Sequence, residues 1–131
     1  MRVLELQLPL EPESVPAARG SLDALQSRVP HSALEDARLM VSELVTNSLR
    51  HAGAENHSIQ LVADIEGKTL VVQVRDQGKG FQPHPRKADA PPDSGWGLYL
   101  VEQLADRWGA TSDGATCVWF ELELESESES A

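Results

Sequence analysis

The 131-residue chain predicts an α/β (α+β) two-layer sandwich, a mostly antiparallel mixed sheet with helices over one face. Three observations predict it. Short segments rich in β-branched and aromatic residues alternate apolar and polar side chains with period two. Longer segments repeat their apolar residues at helical spacing. Their order along the chain is strand, helix, helix, strand, strand, loop, helix, strand.

The first strand is "VLELQLP", residues 3–9. A weaker helix follows in "ESVPAARGSLDALQSRV", with Val15, Leu22, Leu25 and Val29 as its apolar positions and Gly20 as an interruption. The long helix is "HSALEDARLMVSELVTNSLRHAG", which places Leu34, Ala37, Val41, Leu44, Val45 and Ser48 on one side, with Ser32 as N-cap and Gly53 as stop. "HSIQLVADI" and "TLVVQVRD" read as two strands. Gln82 to Asp93, "QPHPRKADAPPD", holds four of the eight prolines and no aliphatic residue larger than alanine, so it reads as a mobile loop, either a lid or a passive linker. "GWGLYLVEQLADRWG" is a helix that starts at its glycines, with Leu98, Val101 and Leu104 or Ala105 in step. "ATCVWFELEL" closes the sheet. It sets Trp119 with Cys117 and Glu121 on the face opposite Val118, Phe120 and Leu122, where the N-terminal segment is expected to cover it in part. The final "ESESESA" has nothing to bury and reads as disordered, giving a domain over 1–124 and an acidic tail over 125–131.

Composition narrows the function. With 21 acidic residues against 11 lysines and arginines, the surface field repels nucleic acid. The single cysteine, Cys117, permits neither an intrachain disulfide nor a thiolate cluster, which fits a reducing, cytoplasmic setting. "MRVLELQLPL" lacks a long apolar core and a cleavage site, and no apolar run suits a bilayer, so neither secretion nor a membrane role is expected. The four histidines lack zinc-ligand spacing, and only His51 lies near the candidate site.

Three stretches carry chemistry. In "VRDQGKGF", strand parity puts Asp76 at the end of the apolar row Leu70, Val72, Val74, and a carboxylate there needs a hydrogen-bond partner. Gly78 and Gly80 follow it and allow close backbone approach. Glu43, Asn47 and Arg50 share a stripe of the long helix; such a stripe is ordinarily just a solvated face, but the Asn47 carbonyl suits Mg²⁺ and Glu43 suits the polarisation of a hydroxyl or water. In "SGWGL", Ser94, Gly95, Trp96, Gly97 and Leu98 open a helix whose first N–H groups point outward, an anion site by geometry. The spacing around "GKG" is not that of a Walker A loop.

In this order "SELVTNSLRHAG", "VRDQGKGF", a proline-rich loop and "SGWGLYLVEQLADRWG" resemble the N, G1 and G2 boxes of the GHKL ATP-binding superfamily, over residues 36–122. The wording of the long helix and the "LADRWG" ending are most similar to the anti-sigma factor serine/threonine kinases of actinobacteria. The resemblance implies a Bergerat ATP-binding fold with ATP and Mg²⁺ as cofactors. It implies Asn47 as Mg²⁺ ligand, Glu43 as general base, Asp76 as acceptor for the adenine amino group, and Gly78 and Gly80 beside the base. Gly95 and Gly97 would meet phosphate, and Thr116 would support Asp76. The implied partners are a sigma factor and an anti-anti-sigma (STAS-type) protein, with a homodimer left open. One departure stands out: Asp93 and Ser94 occupy the place where relatives often carry an arginine able to reach the γ-phosphate, and Arg86 and Lys87 sit farther back in the loop. The competing reading is a non-catalytic module in which ATP shapes a docking surface. A histidine kinase fragment ranks third, since no phosphoacceptor-histidine helix pair precedes the ATP-binding region.

Overall fold

A computed structural model describes residues 1–51, 58–76, 96–112 and 116–124. Strand β1 (Arg2–Pro9) leads into helix α1 (Ser14–Ser21), which tightens into a 3-10 turn at Leu22–Leu25 before helix α2 (His31–His51). Strands β2 (Ser58–Glu66) and β3 (Thr69–Asp76), helix α3 (Trp96–Leu104) and strands β4 (Arg107–Ser112) and β5 (Thr116–Glu123) follow among the described residues. The five strands stand in the order β1-β2-β3-β5-β4, and each neighbouring pair is antiparallel.

Period-two patterning builds the sheet as expected. Along β3 the side chains of Leu70, Val72, Val74 and Asp76 are buried, while those between them are partly or fully exposed. The same parity on β5 buries Val118, Phe120 and Leu122. Onto this face α2 lays Leu34, Ala37, Met40, Val41, Leu44 and Val45, each at most 2 % exposed. Helices α1 and α3 both pack against α2, so the helix layer covers one face of the sheet. Ser14 anchors the first corner: its hydroxyl donates to the Pro9 carbonyl at 2.5 Å. Arg38 of α2 bridges back to Asp23 of the 3-10 turn and to Glu35 on its own helix.

Gly20 does not interrupt α1, which runs on to Ser21; the tightening comes at Leu22, where Leu22 and Leu25 turn into the core together. The final helix is shorter than its pattern suggests, and the residues "RWG" belong to a strand. The Ala105 N–H still bonds Val101 within the helix, but the next N–H, that of Asp106, bonds the Glu121 carbonyl on β5. The Asp106 carboxylate also takes the Glu123 N–H at 2.7 Å. The chain thus passes from helix to sheet in one residue, supplying β5 with a second neighbour. Strand parity then turns Trp108 and Ala110 to the core opposite Phe120 and Val118, and places Gly109 opposite Trp119 on the far face. Trp119 is therefore covered by Gly109 of β4 and not by the N-terminal segment, because β1 lies at the other edge of the sheet.

Candidate functional site

The C-terminal half of α2 carries the first part of the site. Glu43 and Asn47 lie one turn apart, yet their environments differ: Glu43 is partly exposed and Asn47 is 6 % exposed. Two hydroxyls upstream are spent on the helix itself. Ser42 donates to the Arg38 carbonyl at 2.9 Å and Thr46 to the Ser42 carbonyl at 2.7 Å. Among the described residues nothing hydrogen-bonds the Asn47 side-chain amide. A buried amide of this kind is costly unless a ligand or water completes it. Ser48, at 6 % exposed, adds a second buried polar group beside it in sequence.

The end of β3 supplies the second part. Asp76 is the last residue of the strand, is 2 % exposed, and stands between Ile59 on β2 and Thr116 on β5 in the ladder. Ile59 is fully buried, so the carboxylate has an apolar neighbour directly across the strand, where side chains lie about 5 Å apart. Sequence reasoning assigned Ile59 no place in the site, although the alternation of "HSIQLVADI" already marks it as inward-facing. The register also sets Thr116 directly opposite Asp76.

Helix α3 begins at Trp96, so Trp96, Gly97 and Leu98 form its first turn, which holds no acidic side chain. A helix start of this composition leaves its N–H groups and positive dipole end to an anion. Packing of α3 against α2 joins that helix to the one bearing Asn47. Gly78, Gly80, Ser94, Gly95 and the Gln82 to Asp93 loop lie outside the described residues, as do the side chains of Arg50 and Thr116. Farther up α2, Asp36 has its pKa raised by burial and, secondarily, by the charge of Glu35.

Asn47 on α2 and Asp76 at a strand end each bring a polar oxygen into a buried position. The oxygen of Asn47 matches the preference of a hard cation, and Asp76 can accept from an exocyclic amine. The described residues therefore fit a nucleotide carrying Mg²⁺.

A profile of the histidine kinase-like ATPase domain matches residues 8–122. The chain is 37% identical over 118 residues to the serine-protein kinase RsbW of Listeria innocua, covering 79% of this chain and 75% of that protein. It is 30% identical, with the same coverage, to the serine-protein kinase RsbW of Oceanobacillus iheyensis. Among solved structures, the histidine kinase domain of the Erythrobacter litoralis EL346 blue-light activated histidine kinase superposes with a TM-score of 0.61 at 23% identity, covering 92% of this chain and 68% of that one. The Acinetobacter baumannii histidine kinase AdeS gives 0.54 at 11% identity, covering 96% and 70%. These two likenesses establish the fold. The length of the profile match and the similarity to the RsbW proteins establish more: the chain belongs to the histidine kinase-like ATPase domain family, an ATP-binding fold.

Proposed function

We propose that this protein is a cytoplasmic serine/threonine protein kinase that uses Mg²⁺-ATP, binds a sigma factor, and changes partners when it phosphorylates an anti-anti-sigma (STAS-type) protein. The observation that carries this reading is the 37% identity to a serine-protein kinase across 79% of the chain. The geometry supports a division of labour. Asp76, buried beside Ile59, accepts the adenine amino group, with Thr116 opposite it in the ladder. Asn47 offers its carbonyl oxygen to Mg²⁺, and the first-turn amides of α3 receive phosphate oxygens. When bound, Mg²⁺ neutralises phosphate charge and aligns the terminal phosphoryl group. Glu43, half-buried one turn from Asn47, is reachable by a protein substrate and takes the proton from its hydroxyl.

The alternative, ATP-gated docking without phosphoryl transfer, draws on Asp93 and Ser94 standing where an arginine would help stabilise the γ-phosphate. One experiment separates them. The full chain is mixed with its anti-anti-sigma partner and radiolabelled ATP, and the partner is examined for phosphoserine or phosphothreonine. Label on the partner supports the kinase; tight ATP-dependent association with no label transfers the assignment to the docking module.

A further inference from the structure

At the pole opposite Asp76, the segment before α2, the β2–β3 turn and the end of β5 enclose an open cavity of about 610 Å³. Its lining divides into two kinds of side chain. Val29, Ile65 and Leu124 supply apolar surface, while Arg28, His31 and Lys68 are exposed and basic or protonatable. Helix α2 starts at His31, so the positive end of a 21-residue helix adds to the same rim. In a chain of formal net charge −10 this is a local concentration of positive potential.

The chain itself leaves from this rim. Leu124 lines the cavity, and its N–H donates to the Lys68 carbonyl at 2.7 Å, which fixes the point from which residues 125–131 continue. Those residues carry Glu125, Glu127 and Glu129, separated by serines. Glu129 stands five residues beyond Leu124, so an extended chain carries it up to about 17 Å from that anchor, along a cavity whose lining includes Arg28 and His31. In extended chain the three glutamates share one side.

We propose that the acidic segment 125–131 docks across this cavity, its glutamates facing Arg28, His31, Lys68 and the start of α2. Composition denies the segment a core of its own, so charge and not burial holds it. Exposed ion pairs are weak between separate molecules. Tethering at Leu124 raises the effective concentration into the millimolar range, where weak pairing suffices to populate the docked state.

The test compares assigned amide spectra of the full chain with those of the full-length variant Glu125→Gln/Glu127→Gln/Glu129→Gln at low salt. Neutralising the glutamates should shift the amides of Arg28, His31 and Lys68, and high salt should erase the difference. Changes confined to residues 122–131 would overturn the proposal. Conversely, Arg28→Glu in the full chain should shift the amides of Glu125 to Glu129; unmoved tail amides also overturn it. The shifts must not depend on protein concentration. Growth with concentration would place the segment on a neighbouring copy and refute intramolecular docking.

Discussion

The indole of Trp119 on β5 lies against the backbone of Gly109 on β4, so close that a Cβ on Gly109 would stand 2.5 Å from Cζ2 and 2.8 Å from Cε2. Neither atom is the end of a flexible chain; the ring must turn or the edge strand must move. Gly109→Ala is therefore expected to destabilise the fold by about 1–3 kcal/mol, the usual range for overpacking. Urea unfolding followed by tryptophan emission measures it. The companion change Trp119→Leu should relieve most of the cost in the double variant, because the two residues are in direct contact. A Gly109→Ala protein as stable as its parent would mean that the indole does not hold this position.

This pair also shows where the sequence was hard to read. The strands β2, β3 and β5 and the helix α2 were plain in their periodicities, and parity alone placed Asp76 on the buried row. The segment "LADRWG" continues a helical pattern without a break residue before Gly109, and nothing local announces that the Asp106 N–H will bond to β5 instead of to the Glu102 carbonyl. That choice is made by the unpaired edge of β5, a nonlocal partner. The open-face neighbour of Trp119 followed from the same missing strand. The environment of Asn47 was likewise illegible: periodicity put it beside Glu43 on a polar stripe, and only tertiary packing determines which of the two is buried.

Gly20 offers a change in the opposite direction. It lies in α1 at an exposed position, its φ is not positive, and a Cβ there would meet nothing within 4 Å. Replacing glycine under these conditions mainly restricts the unfolded chain. Gly20→Ala should stabilise the protein by about 0.4–1 kcal/mol, seen as a higher urea midpoint with an unchanged slope. A loss of stability would show that the helix backbone at this point is not in ordinary α conformation.

Asp36 predicts a small pH dependence. Its pKa is raised, first by burial and then by Glu35, so folding favours the protonated form. The contribution is favourable below the ordinary carboxylate range and is lost as pH rises through the raised folded value. Asp36→Asn cannot ionise and should gain slightly over the parent near neutral pH, by no more than about 0.5 kcal/mol because the group is largely solvated. The gain should vanish on acidification below pH ~4. Melting curves of both proteins across that interval provide the check, and a difference that grows toward low pH contradicts the assignment.

Asp76 combines near-complete burial with an apolar neighbour in Ile59, conditions under which a charge-assisted hydrogen bond keeps most of its strength. If it receives the adenine amino group, Asp76→Asn should weaken ATP binding by roughly 1.5–3 kcal/mol, or about 10- to 150-fold in Kd. Calorimetric titration with ATP gives the number. Equal affinity in the variant, with an unchanged melting temperature, would remove adenine recognition from this residue.

Glu43 and Asn47 share one helix face and should nonetheless fail in different ways. Glu43 reaches solvent and is assigned the proton of the partner's hydroxyl, a role that matters only during transfer. Glu43→Gln keeps the shape, so ATP affinity should stay close to the parent while labelling of the partner slows by roughly 10²–10⁴-fold, the span of a general base. Asn47 is buried, and its amide lacks a partner among the described residues. If its carbonyl holds Mg²⁺, Asn47→Ala should weaken ATP binding when the metal is present and change it far less in EDTA, because only the metal-dependent part of the affinity would pass through that oxygen. Melting of both variants without nucleotide separates these effects from misfolding. If Glu43→Gln lowers affinity and transfer by the same factor, the carboxylate acts in binding the nucleotide and not in moving the proton; if Asn47→Ala loses the same affinity with and without metal, its amide meets the nucleotide directly.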